Sequence, residues 1–397
     1  MLRRLPAKSE PMENVFARLE EYTKDDIKVK GGRLFTYLYD SGLEELARIN
    51  DIYVKFLNRN AMDYHAFPST LRLENEVVAM IGSLLNGDEK VTGNFTTGGT
   101  ESILIAVKAA RDQFLEKRGS GAPTPEIVIP VTAHPAFRKA AEYLRMKPVL
   151  IPVSSQSYLV EPETIRNAIS DKTAIVISSA PNFPYGGIDP IEKIAEIASE
   201  NKVWLHVDAC VGGLILPFFD KIGVPVKKWD FSVPGVSSIS VDLHKYGYTP
   251  KGSSVILYRN KDLRKYQLYV NADWPGYPMS NIGVQSTKSS APLAASWAVL
   301  NYLGEEGYLN LARRTVSAKE QIVKGITSLG YRIVGEAETT IFAFTSDSID
   351  IFEVGAKLKE KGWFLQVQPG SSEMGMPPSL HLNSSPVHDK VAPDFIE

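Results

Sequence analysis

The sequence predicts an α/β protein: a mainly parallel central sheet with helices on both faces, followed by a small C-terminal α+β lobe. Three observations carry that prediction. From about Glu126 to Tyr258 short β-branched runs alternate with helical patterns, two long helical patterns begin at Pro292, and shorter strand and helix signals run from Tyr331 to Val367. Parallel neighbours need crossover connections, so strand, helix, strand repetition implies a sheet covered on both sides.

In chain order, Leu71–Asn86 places Leu73, Val77, Ile81 and Leu84 at helical spacing, with Gly87 standing where a C-terminal cap would. A second helix is expected from near Thr100 toward Lys117. Strands are expected at Ile127–Pro130, Val149–Pro152, Ala174–Ser178, Val203–Asp208, Ser238–Asp242 and Ser253–Tyr258. Helices fall between them at Ala136–Leu144, Pro162–Ile169 and Pro190–Glu200, the last two opening on proline, whose fixed φ suits a first turn. Pro292–Leu303 and Glu306–Leu329 read as helices, Pro369 to Pro378 as a loop, and Leu380–Asn383 as a strand. No internal repeat or low-complexity tract interrupts the pattern.

Composition narrows the class of function. The 397 residues are 44% hydrophobic and 23% charged, ordinary for a soluble globular protein and enough for more than one minimal domain. Against 44 basic residues stand 46 acidic ones, a net charge of −2, so the whole chain exerts no pull toward nucleic acid or an anionic membrane. Cys210 is the single cysteine, which excludes an intrachain disulfide, gives no zinc cluster and fits a reducing compartment. Met1 to Pro11 lacks the apolar stretch of a signal peptide, and the longest apolar run, Val211 to Phe219, is far short of the ~20 residues that span a bilayer. A cytoplasmic protein with no transmembrane segment and no metal site is expected.

In doubly wound sheets ligands sit beyond the carboxyl ends of the strands, so the residues just after each strand matter most. Lys245, in Ser240-Val-Asp-Leu-His-Lys-Tyr-Gly, follows a strand; burial there would lower its pKa toward the neutral amine that attacks a carbonyl, as a Schiff-base lysine requires. Alone, such a lysine is usually a surface residue. Asp208, in His206-Val-Asp-Ala-Cys, could keep a pyridine nitrogen protonated and so make the ring an electron sink, though an aspartate ending a strand is most often a cap. Gly98, Gly99 and Thr100, in Thr96-Thr-Gly-Gly-Thr-Glu-Ser102, precede a helix whose free N–H groups would bind phosphate; Thr100 could also be a simple N-cap. His134 could stack on a flat cofactor or be an ordinary loop histidine. Together, in this order, they match the pattern of fold-type I pyridoxal-phosphate enzymes.

These motifs, with Pro181-Asn-Phe-Pro-Tyr-Gly-Gly-Ile-Asp-Pro190 and Thr249-Pro-Lys-Gly-Ser-Ser, resemble the sphingosine-1-phosphate lyases of the group II pyridoxal-dependent decarboxylase family, from about Gly31 to Asn383. The resemblance implies a fold-type I transferase-like architecture and pyridoxal 5′-phosphate as cofactor. It implies that Lys245 forms the internal aldimine, that Asp208 pairs with the ring nitrogen and that His134 stacks on the ring. Gly98, Gly99, Thr100 and His244 would hold the phosphate, Asn182 would lie near the ring edge, and Lys251 would face an anionic group of the substrate. Family members are homodimers with shared active sites, which implies that Thr287 and Lys288 reach the partner's cofactor. It also implies an N-terminal segment, 1–60, contributing to the dimer, a large cofactor-binding domain, 61–300, and a small C-terminal domain, 301–397. Family members normally continue there into a final helix that this chain either manages without or lacks because the sequence is incomplete.

Three segments depart from the lyases. Ser286-Thr-Lys-Ser-Ser-Ala291 replaces Gly-Ser-Arg-Pro-Gly-Gly, exchanging a guanidinium fork for the point charge of Lys288. Asp273-Trp-Pro-Gly-Tyr-Pro-Met279 puts Tyr277 two positions early, and Ala61-Met-Asp-Tyr-His-Ala-Phe-Pro68 rearranges the polar groups of the entry segment. The expected activity is retro-aldol cleavage of a phosphorylated amino alcohol to an aldehyde and phosphoethanolamine, with Tyr277, Lys251 or Lys245 moving the proton. The alternative is an L-amino-acid decarboxylase of the same family. A non-catalytic dinucleotide-binding protein lacks support, since no Gly-x-Gly-x-x-Gly follows a first strand.

Overall fold

Alternate residues of the central strands enter two different cores, which is what a sheet covered on both faces requires. The computed structural model describes residues 4–397. Val128, Val176, Leu205, Val207 and Val241 join one buried cluster, while Ile127, Ile129, Ile175, Ile177 and Trp204 join the other. Each such side chain contributes about 1.5–3 kcal/mol on full burial.

The chain opens with α1 (Met12–Thr23) and α2 (Ile49–Phe56), then α3 (Pro68–Leu84) and the edge strand β1 (Thr92–Thr96). Next come α4 (Gly99–Arg118), β2 (Glu126–Pro130), α5 (Ala136–Tyr143), β3 (Lys147–Ile151), α6 (Pro162–Ala168), β4 (Thr173–Ser179), α7 (Ile191–Glu200), β5 (Trp204–Asp208), α8 (Leu216–Lys221), β6 (Ser238–Asp242) and β7 (Ser254–Tyr258). These seven strands form one sheet in the order β1-β7-β6-β5-β4-β2-β3. Neighbours from β3 to β6 are parallel, and β7 pairs antiparallel with both β6 and β1.

After α9 (Lys261–Arg264), a hairpin of β8 (Tyr269–Asn271) and β9 (Met279–Asn281) leads into α10 (Ala291–Ser328). A second, antiparallel sheet, ordered β10-β11-β13-β12, comprises β10 (Arg332–Val334), β11 (Ile341–Thr345), β12 (Gln366–Gln368) and β13 (Ser379–Asn383). It is accompanied by α11 (Ile351–Glu360) and α12 (Ala392–Ile396). The two bodies are fastened tightly: a side chain at Gly186 would meet the Ile341 carbonyl at 1.9 Å, Tyr246 donates to the Ser384 carbonyl at 2.6 Å, and Glu338 accepts from the Ile188 amide at 2.9 Å. The N-terminal arm also pairs with this second body, Asn383 donating to the Phe35 carbonyl at 2.7 Å.

The structure corrects several expectations. Asn86, with φ 54°, and not Gly87, takes the left-handed position that ends α3, while Gly87 donates to the Gly82 carbonyl at 2.9 Å. Pro190 precedes α7 as its cap and does not open it. The break expected between Leu303 and Glu306, by contrast, is present: Gly304, with non-helical φ 54° and ψ −171°, separates the two helical halves of α10. Strand β1 escaped the sequence reading because Gly93 and Asn94 disguise it; a side chain at Gly93 would strike the Ile256 carbonyl at 2.2 Å. Short α1, α2 and the β8–β9 hairpin were likewise not anticipated, and no helix among the described residues is long and apolar enough to cross a membrane.

Candidate active site

The carboxyl ends of β2, β4, β5 and β6 and the start of α4 converge on a cavity of about 490 Å³. Gly98, Gly99, Thr100, His134, Asp208, His244 and Lys245 all line it, joined by Glu101, Asp242, Cys210, Val284 and Gln285. Asp208 and Asp242 end strands β5 and β6, every residue of which is buried, so their backbones are held by the sheet.

Helix α4 starts without a side-chain cap, and Gly98 turns into it at φ 142°, so N–H groups of its first turn open toward the cavity. Below them lies an ion pair. Lys245 Nζ stands 3.0 Å from Asp242 Oδ2, with His244 Nε2 3.6 Å from the same oxygen. Burial works most strongly against the Lys245 ammonium, but Asp242 and, behind it, Tyr39, Cys210 and Asp208 together outweigh burial and raise the pKa above the ordinary lysine value, the reverse of the lowering expected from burial alone. Asp242 is itself buried, yet Lys245 first and His244 second hold its pKa below the usual carboxylate value. Its Oδ1 is buried without a hydrogen-bond partner among the described residues, an acceptor still open. A side chain at Gly99 would meet both Asp242 carboxylate oxygens at 2.8 Å and Cys210 Sγ at 2.9 Å, so only glycine lets α4 begin here.

His134 Nδ1 accepts from the Ala136 amide at 3.2 Å, and His244 Nδ1 accepts from the Ser253 amide at 3.3 Å. Burial pushes both imidazoles' pKa values down, so both are neutral near pH 7. Asp208 Oδ1 accepts from the Cys210 amide at 3.1 Å and from Ser240 Oγ at 3.4 Å. The cavity thus offers an uncapped helix start for phosphate, a neutral ring wall, a carboxylate and an amine, a set that fits a phosphorylated pyridine aldehyde.

Four expected site residues lie elsewhere. Asn182 is buried in its own turn, its Nδ2 donating to the Gly187 carbonyl at 3.1 Å and its Oδ1 accepting from the Tyr185 amide at 3.0 Å. Lys251 Nζ donates to the Tyr37 carbonyl at 2.8 Å and lies 5.7 Å from the centre of the Tyr39 ring. Tyr277 is exposed, edge-on to Trp274, and Thr287 is exposed outside the cavity of its own chain. Lys288 points inward, its Nζ donating to the Phe95 carbonyl at 3.3 Å.

Asp242 and Glu101 were missed. Asp242 precedes Lys245 by three residues across a tight turn, a spacing that would have flagged the pair. Glu101 Oε2 accepts from the Thr97 amide at 2.6 Å and from its hydroxyl at 2.7 Å, while Oε1 accepts from the Val284 amide at 2.7 Å. It pins the segment after β9 against the start of α4, which is why Val284 and Gln285, in a stretch without periodicity, line the cavity.

Residues 2–346 match the model of the pyridoxal-dependent decarboxylase conserved domain. A sphingosine-1-phosphate lyase of Dictyostelium discoideum is 39% identical over 92% of this chain and 66% of its own length, so the chain spans about two thirds of that relative. A probable L-tyrosine/L-aspartate decarboxylase of Methanothermobacter thermautotrophicus is 36% identical over 80% of this chain and 84% of its own. The solved sphingosine-1-phosphate lyase of Burkholderia pseudomallei superposes with a TM-score of 0.93 at 34% identity, covering 100% of this chain and 91% of that one.

Proposed function

The chain belongs to the pyridoxal-dependent decarboxylase family, and from that premise we propose that it is a pyridoxal-phosphate-dependent carbon–carbon lyase. Its substrate is a phosphorylated amino alcohol, cleaved to an aldehyde and phosphoethanolamine. The observation that carries this reading is the meeting of Lys245, Asp208, His134 and the uncapped start of α4 in one cavity, together with the likeness to sphingosine-1-phosphate lyases in sequence and in fold.

Lys245 is the amine that holds the cofactor, Gly98, Gly99 and Thr100 bind its phosphate with help from His244, and His134 stacks on its ring. Bound there, pyridoxal phosphate supplies a sink for the electron pair released at the amine-bearing carbon. Asp208 keeps the ring nitrogen protonated. Of the three groups named for moving the substrate's hydroxyl proton, Lys245, Lys251 and Tyr277, only Lys245 lines the cavity within this chain, so its Nζ takes that proton and returns one to the carbon left behind. Lys251, outside the cavity lining of this chain and with its pKa lowered by burial first and by Lys245 second, serves the anionic end of the substrate once it leaves the Tyr37 carbonyl.

The working form is a cytoplasmic homodimer in which Thr287 of each chain reaches the partner's cofactor. In support, Thr287 is exposed and does not line its own cavity, and α1, none of whose residues is buried, exposes Met12, Phe16 and Leu19 along one side. Residues 1–60 serve that dimer, 61–300 the cofactor and 301–397 the small body.

The test is a product assay on protein loaded with pyridoxal phosphate, offering a phosphorylated sphingoid base and a panel of amino acids, with Lys245→Ala as control. Aldehyde that disappears in the control is the expected result. Carbon dioxide from an amino acid would give the chain instead the activity named for its Methanothermobacter relative, and neither product would overturn both readings.

A further inference from the structure

We propose that Trp204, Ser238, His206 and Ser240 form a one-way chain of hydrogen bonds that ends on Asp208 and makes them positioning residues for its carboxylate. The inference rests on the reading of Asp208 as the partner of the cofactor's ring nitrogen.

The chain follows from what each group is able to donate. Trp204 Nε1 lies 2.8 Å from Ser238 Oγ, and an indole N–H only donates. Ser238 therefore accepts there, and its own proton is left for His206 Nδ1, also 2.8 Å away. With Nδ1 accepting, the neutral imidazole carries its proton on Nε2 and donates to Ser240 Oγ at 3.2 Å. Burial supports the neutral form, pushing the His206 pKa down to about 4. Cys210 stays a thiol, its pKa raised by burial, and its Sγ donates to Ser240 Oγ at 3.4 Å. Ser240 thus receives two donors and turns its single proton to Asp208 Oδ1 at 3.4 Å.

The opposite direction fails at Ser238. If His206 donated from Nδ1, Ser238 would face two donors and its own proton would have no acceptor among the described residues, inside a site fully closed to solvent. Strand pairing fixes the geometry, because β5 and β6 set His206 opposite Ser238 and Asp208 opposite Ser240. Together the Ser240 hydroxyl and the Cys210 amide hold the Asp208 carboxylate in the orientation that keeps it against the ring nitrogen, and losing the hydroxyl loosens that pairing.

Two measurements test this. In protein labelled with ¹⁵N-histidine, which has six histidines to resolve, the signal lost in His206→Gln should show a proton on Nε2 alone; a proton on Nδ1 overturns the proposal. With ¹⁵N-labelled pyridoxal phosphate bound, Ser240→Ala should move the ring-nitrogen resonance toward that of unprotonated pyridine, Trp204→Phe should move it less, and Ser240→Thr should restore it. An unmoved resonance in Ser240→Ala overturns the chain. Asp208→Asn separates the two readings: if that variant also leaves the resonance unmoved, the pairing of Asp208 with the ring is wrong and the proposal falls with it.

Discussion

Asp242 sits one turn before Lys245 and holds its amine charged, although only an uncharged amine attacks an aldehyde. Cofactor loading should therefore speed up as pH rises. In Asp242→Asn the amine loses the charge that raises its pKa, and the pH at which loading is half-maximal should fall by about two units, read from the absorbance of the bound cofactor. An unchanged profile would mean that another group sets the charge. At this scale the sequence was legible where residue type and strand end coincided, as at His134, Asp208 and Lys245. It was not legible for Asn182, whose amide is consumed by its own turn, nor for Lys251, which a backbone carbonyl draws aside. Both outcomes depend on partners distant in sequence or on local hydrogen bonds that residue type does not reveal.

Among the elements, α4 carries the tightest constraint. Gly99→Ala would drive a methyl group into Asp242 and Cys210, so the start of the helix must shift; about 1–3 kcal/mol of stability should be lost, with cofactor retention falling alongside. Denaturant midpoints with and without cofactor would measure both. Glu101 ties the same helix to the segment after β9, and each charge-assisted bond of this kind contributes roughly 1.5–3 kcal/mol. In Glu101→Ala the Val284 amide should exchange its hydrogen at least about tenfold faster, while amides of β5 remain unchanged. Buried strands were readable because two-sided burial leaves unbroken apolar runs, as in β2 and β4. Strand β1 and the β8–β9 hairpin were not, since close backbone approach selects glycine in the first and exposure removes any apolar pattern from the second.

For the molecule as a whole, four buried groups set the acid limit. His206, His381 and His388 have pKa values lowered by burial from 6.5 to about 4, whereas burial raises Asp189 from 3.8 to about 6. The depressed histidines contribute stability that is present above pH 6.5 and lost as pH falls toward 4; the raised aspartate acts in the opposite sense, its contribution lost as pH rises through 6. Each is worth on the order of 3 kcal/mol, so three losses exceed one gain and the thermal midpoint should drop steeply between pH 6.5 and 4. A flat midpoint across that range would contradict the burial of these imidazoles. Association belongs to this scale too: Phe16→Glu with Leu19→Glu should convert dimers to monomers in sedimentation, if α1 covers the partner as proposed. The two-body architecture was legible in the alternation of patterns, but the attachment of residues near Phe35 to the C-terminal sheet was not, because it joins opposite ends of the chain.

Tyr246, the residue after Lys245, is anchored by its hydroxyl to the Ser384 carbonyl at the end of β13. The lysine's turn and the last strand are therefore one thermodynamic unit: mass action at the cavity should protect amides that touch no ligand. A chain nicked between β12 and β13 would lose its grip on the cofactor while every group lining the cavity was still in place.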